Sequence, residues 1–172
     1  MKHIKTYKVF EHKDIYELIK QLDRYNIENY TINEDGTIDV DGDVFLHDVG
    51  LTEIPFSFGK VTGYFNCSNN KLTSLKGCPK EVDGYFVCNH NKLKDLIGGP
   101  HEVGGHYYCH SNQLETLEGC AGDIGGKLQC SYNKLEMLDC SSVINGNIYC
   151  KENGFKEEPE FFGVCGGEIF WK

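Results

Sequence analysis

The chain has 172 residues, nine cysteines, 40% hydrophobic residues and a formal net charge of −9. That length fits a single domain, and the acidity argues against direct nucleic-acid binding, where affinity comes mostly from neutralising phosphates. No apolar run approaches membrane-spanning length. The odd cysteine count and the lack of a secretory signal argue against a disulfide-stapled secreted scaffold; reduced thiols and no targeting segment point to the cytoplasm.

At the N-terminal end, Ile15, Leu18, Ile19 and Leu22 follow i, i+3, i+4, i+7 spacing, which predicts an amphipathic helix near 12–25. Asn33-Glu-Asp-Gly36 then separates two alternating runs and reads as the turn of a β-hairpin. Helix and hairpin together form an expected cap over residues 1–37, covering an edge that would otherwise invite aggregation. Between Tyr25 and Gly59 there is no Lys or Arg, only Glu28, Glu34, Asp35, Asp39, Asp41, Asp43, Asp48 and Glu53. The simpler reading is a solvated cap; the sharper one is a patch that steers a basic partner.

Residues 38–158 are a repeat. Cys67, Cys88, Cys109, Cys130 and Cys150 are separated by 21, 21, 21 and 20 residues, the signature of stacked supersecondary units. Asn70, Asn91, Asn112, Asn133 and Asn153 follow in register, then Leu72, Leu93, Leu114, Leu135 and Phe155. Before each strand stand Val61, Val82, Val103, Ile124 or Ile144 and, two residues later, a glycine. An earlier, degenerate copy places Leu46 in the cysteine slot. Alternation along a strand turns Phe65 and Cys67 inward, making the cysteines an internal ladder of small hydrophobes. The asparagines turn the chain and bond backbone groups that no strand ladder satisfies. The recurrent glycines imply a positive φ or a close backbone approach. Cys78, Cys120 and Cys140, with Gly99 in the remaining place, make a second partial ladder. Pro79 and Pro100 rule out a long helix on the returning side.

The last segment, 159–172, breaks the period and leaves Cys165 outside the array. Its Phe161, Phe162, Ile169, Phe170 and Trp171 suit either a C-terminal cap or a partner-docking tail.

The pattern resembles the leucine-rich repeat, L-x-x-L-x-L-x-x-N-x-L, except that the opening leucine is a Val or Ile placed one residue early. The cysteine-containing 21-residue version looks most like repeats of tailed bacteriophages and bacteria. The expected fold is therefore a β-rich solenoid, a stack of about six coils with a parallel sheet and a helix-plus-hairpin cap. The resemblance implies a non-catalytic protein-interaction module, and by analogy a phage effector that binds a host defence protein in the host cytoplasm.

The outward strand positions form a face rich in Tyr, His and Asn. Its candidate partner-binding residues are Tyr64, Tyr85, His90, His106, Tyr108, His110, Tyr132 and Tyr149. Tyrosine offers large contact area with a hydrogen-bonding tip; the simpler alternative is aromatic stacking that stabilises neighbouring strands. The same face would suit a glycan or small polar ligand. A metal-dependent enzyme on His90, His106 and His110 is the weakest reading, because no carboxylate shares the central columns and a zinc site needs converging ligands. His106 and His110 flank Cys109 at odd separations, so they face away from its sulfur and a nucleophilic role fails. The DVDGD run at 39–43 has its glycine misplaced for a calcium loop. No cofactor motif is present, so no cofactor is expected. An exposed terminal coil leaves an end-to-end homodimer open.

Overall fold

A computed structural model describes residues 3–4 and 12–172, with side chains from residue 15. The remaining residues of the expected cap, 1–2 and 5–11, lie outside the described residues. The chain is a β-solenoid of about six turns with one N-terminal helix.

The helix His12–Arg24 carries its apolar stripe onto the first coil, with Leu22 fully buried and Leu18 packed beside it. The hairpin forms as the turn residues dictate. Tyr30–Ile32 pairs antiparallel with Ile38–Val40, and the Thr37 backbone N–H and hydroxyl donate to Asp35 at 3.0 and 2.7 Å. Those two bonds hold the Asp35 carboxyl below its usual pKa.

Each coil contributes to two parallel sheets, one more than the repeat pattern reveals. The nine-stranded sheet runs from His3–Ile4 through the hairpin to Phe58–Val61, Glu81–Val82, Glu102–Val103, Asp123–Ile124, Val143–Ile144 and Val164–Cys165. The seven-stranded sheet stacks Val44–Phe45, Phe65–Asn66, Phe86–Val87, Tyr107–Tyr108, Leu128–Gln129, Ile148–Tyr149 and Ile169–Phe170. The glycine pairs and their equivalents form the corner between the sheets. Of the two glycine readings, close approach prevails: only Gly42 in this column has positive φ, at 138°. A Cβ on Gly63 would stand 2.6 Å from the Gly42 carbonyl oxygen, and one on Gly84 2.5 Å from that of Gly63. Successive corners stack too tightly for any side chain.

Cys67, Cys88, Cys109, Cys130 and Cys150 are all fully buried, as the alternation requires. Removal from water pushes the thiols of Cys88, Cys109, Cys130 and Cys150 up, that of Cys150 to about 12. The asparagines beyond them form a second ladder. Asn91 donates from its amide to the carbonyls of Cys67 and Cys88 at 3.0 and 3.1 Å, and accepts the Leu72 N–H at 3.0 Å. Asn70, Asn112, Asn133 and Asn153 repeat this arrangement coil by coil. Each asparagine thus ties its own turn to the preceding coil.

On the returning side, Leu75, Leu96 and Leu117 each open a tight turn. The Cys78 N–H donates to the Leu75 carbonyl at 2.9 Å around Gly77, whose φ is 93°, a type II arrangement. Gly99 fills the cysteine place for a reason of size. The coil above it carries Tyr107 where its neighbours carry Phe86 and Leu128, and a Cβ on Gly99 would lie 3.1 Å from the Tyr107 hydroxyl. That hydroxyl is buried without a hydrogen-bond partner.

The C-terminal segment departs from its expected break in the period. Val164–Cys165 and Ile169–Phe170 continue both sheets in register, opposite Val143–Ile144 and Ile148–Tyr149. Cys165 therefore belongs to the array, in the slot of Ile144. Phe161, Ile169 and Trp171 pack against the core, whereas Phe162 is 75% exposed.

Candidate functional site

The outer face of the seven-stranded sheet presents one aromatic strip. Parallel strands bring equivalent residues about 4.8 Å apart, and planar side chains in one column then stack. Tyr64 stacks on Tyr85 with centroids 4.6 Å apart and planes within 9°; Tyr85 stacks on His106 at 4.6 Å and 15°. Tyr108, one column over, packs edge-to-face with Tyr85, His106 and His110, with ring centroids 6.2, 5.8 and 6.3 Å apart. His90 meets His110 edge-on at 5.4 Å. The Lys127 ammonium lies 5.1 Å from the Tyr108 ring and 5.5 Å from Tyr149, and Tyr149 stacks on Phe170 at 4.9 Å. These cation–π contacts hold the lysine stem across the strip.

Seven of the eight sequence-selected residues thus fall in one contiguous strip, Tyr149 joining through Lys127. Tyr132 does not: it sits in the turn beyond the cysteine, 61% exposed, at φ 58°. Its column, Asp48, Asn69, His90, Ser111, Tyr132 and Glu152, is left-handed throughout. Asp, Asn and His tolerate that region, so the first three copies carry a readable signal; Ser111, Tyr132 and Glu152 are forced into it by the asparagine corner. Lys127 and Phe170 are the strip residues that sequence reasoning passed over. A lysine gives no aromatic signal, and Phe170 looked aperiodic.

His106 is in structural use. His106 accepts the Lys127 backbone N–H on Nδ1 at 3.1 Å, so that nitrogen carries no proton. Partial burial, then the Lys127 charge, hold its pKa below the usual imidazole value. Asp43 accepts the Tyr64 N–H at 2.7 Å, and Asn147 the Glu168 N–H at 3.0 Å. This column is a set of acceptors for the next coil. His110 has its Nδ1 buried without a hydrogen-bond partner; burial, then His90 and Lys127, lower its pKa. Among the described residues no three His, Cys, Asp or Glu side chains converge as metal ligands. Cys109 is fully buried on the opposite side of its strand from His106 and His110.

The acidic N-terminal stretch is also largely engaged. Asp39 accepts the Lys60 N–H at 2.7 Å, Asp41 the Thr62 hydroxyl at 3.0 Å, and Asp48 pairs with His47 at 2.9 Å. A cleft of about 700 Å³ lies between helix and first coil, lined by Leu18, Gln21, Ile54 and Phe56, away from the strip. No helix among the described residues is long and apolar enough to cross a membrane.

Comparisons with protein-family models, with curated proteins and with solved structures returned no match to this chain.

Proposed function

We propose that the protein is a non-catalytic interaction module whose aromatic strip docks another protein. In this reading it is a leucine-rich-repeat solenoid, phage-encoded, acting in the host cytoplasm on a host defence protein. The observation that carries the docking role is the continuous strip from Tyr64 to Phe170 on an otherwise short-stranded sheet. Rigid aromatic side chains with hydrogen-bonding tips are the common anchors of protein interfaces. The stacking geometry favours a protein over a sugar. Sugars need a free ring face, and in the Tyr64–Tyr85–His106 trio the faces cover one another, leaving edges and hydroxyls outward.

The test is affinity capture from a bacterial lysate by the native chain beside a Tyr85→Ala/Tyr108→Ala variant, with circular dichroism confirming that both are folded. One protein captured by the native chain and lost with the variant supports the strip as the docking face. Equal capture by both overturns it, as does a sugar that raises the melting temperature of the native chain alone.

A further inference from the structure

The aromatic strip is also a window without carboxylates. Across the coils of Phe65, Phe86, Tyr107 and Leu128, the outward strand positions and the turn position beyond them hold no Asp or Glu. Acids return at its two ends, as Asp43 and Asp48 before it and Glu152 and Glu168 after it. Inside the window Lys127 is the sole Lys or Arg. It is half-buried, its ammonium lies 5.1 and 5.5 Å from the Tyr108 and Tyr149 rings, and it makes no ion pair among the described residues. The polar groups around it have spent their acceptors. His106 Nδ1 takes the Lys127 backbone N–H, which puts the proton of the neutral ring on Nε2. Gln129, in register between Tyr108 and Tyr149, accepts the Ser131 N–H and hydroxyl on Oε1 at 3.4 and 2.9 Å, so its NH2 is left to donate. The Tyr149 hydroxyl accepts the Asn147 amide at 3.2 Å and keeps its own proton to give. The window thus offers donors, with an uncompensated cation among them. Along its border, one position past the asparagines, Lys71, Lys92 and Lys134 take equivalent places, all exposed and without an ion pair among the described residues.

We propose that the docking face takes an acidic segment of its protein partner and binds one of its carboxylates at Lys127, with Gln129, Tyr108 and Tyr149 around it. The inference rests on the docking reading above and names the chemistry of the occupant. A carboxylate accepts hydrogen bonds only and carries one negative charge, so it matches a single ammonium set among donors. Charge-assisted bonds of this kind are stronger than neutral ones. A phosphate dianion would find only half its charge balanced, because partial burial and then Lys127 lower the His106 pKa and keep that ring neutral. The strands lie about 4.8 Å apart, so the window spans about 14 Å, the length of about four extended residues. A short acidic stretch laid across the coils covers it, with further carboxylates meeting the lysine border. The acids at either end limit how far such a stretch can run, since like charges repel there.

The experiment selects binders to the full chain from a displayed library of random peptides. Selected peptides are synthesised, and fluorescence anisotropy measures their affinity for the native chain and for Tyr85→Ala/Tyr108→Ala, Lys127→Gln and Lys127→Arg, each checked for folding by circular dichroism. The expected peptides are enriched in Asp and Glu and bind more weakly as salt rises. Lys127→Gln should weaken them at least about tenfold, the worth of a hydrogen bond to a charged group, while Lys127→Arg stays close to native. Peptides lost with the tyrosine variant but not enriched in acids, or indifferent to Lys127→Gln, overturn the acidic occupant and leave the docking face standing. Peptides held equally by the tyrosine variant overturn the docking face and this proposal with it, as does a library that yields no binder. Tighter binding when the critical Glu is replaced by phosphoserine would overturn the carboxylate in favour of phosphate.

Discussion

Tyr85, just before a short strand, and Phe86, which opens it, are neighbours with opposite tasks. Phe86 is fully buried and stacks at 5.8 Å on Phe65 inside the coil, while Tyr85 makes an equally regular stack half-buried on the outer face. The same coil-to-coil spacing organises both sides, but only the inner stack is needed to exclude water. The outer one repeats the geometry of the core without carrying its burden, and so it is free to face a partner.

Substitutions on the two sides test this directly. Phe86→Ala should cost about 3–5 kcal/mol, the usual penalty for emptying an aromatic core site, read as a lower denaturant midpoint. Asn91→Ala should cost at least about 2 kcal/mol, because the Leu72 N–H and two cysteine carbonyls lose a buried partner. If it behaved like a surface change, the asparagine ladder would not be holding the coils. Tyr107→Phe should move the other way, raising stability by about 1 kcal/mol through loss of an unpartnered buried hydroxyl. In that background Gly99→Ala should be better tolerated than in the native chain, since its Cβ no longer meets the hydroxyl. Tyr85→Ala should cost about 1 kcal/mol or less, the worth of half-buried ring contacts; a loss approaching that of Phe86→Ala would erase the distinction between the sides.

The smallest effect concerns pH. His106 has its folded pKa depressed, so its neutral form is favoured in the fold. The associated stability is present above the ordinary imidazole value of about 6.5 and is lost as pH falls through the lower folded value. His106→Asn, which keeps an acceptor as Asn147 does, should flatten part of the acid limb of a stability-versus-pH curve. His110, also depressed, would account for what remains.

Much of this was legible because the period wrote each demand several times. The inward cysteines, the asparagine corner, the capping helix and hairpin, and the outward aromatic columns all follow from spacing and alternation. What escaped was anything too short to show a pattern or present in one copy only. The second sheet hides in two-residue strands such as Glu81–Val82, too short to show alternation. The closing strands Val164–Cys165 and Ile169–Phe170 keep the backbone register while replacing the side chains that mark it. The Tyr107–Gly99 fit depends on a contact across the coil, which no linear pattern displays.

The asparagine ladder has a consequence for how such a chain can change over time. Asn91 grips the Cys67 and Cys88 carbonyls as Asn112 grips those of Cys88 and Cys109. Every junction between coils therefore presents the same mating surfaces. Excising residues 82–102, a full 21-residue unit, would rejoin one such surface to another of the same kind, and even the coil that is one residue shorter keeps the grip, Asn153 bonding the Cys130 and Cys150 carbonyls. Whole-unit duplication or loss is a mutational step this architecture absorbs, and with each step the outer strip lengthens or shortens by one rung, resizing that aromatic surface without redesigning it.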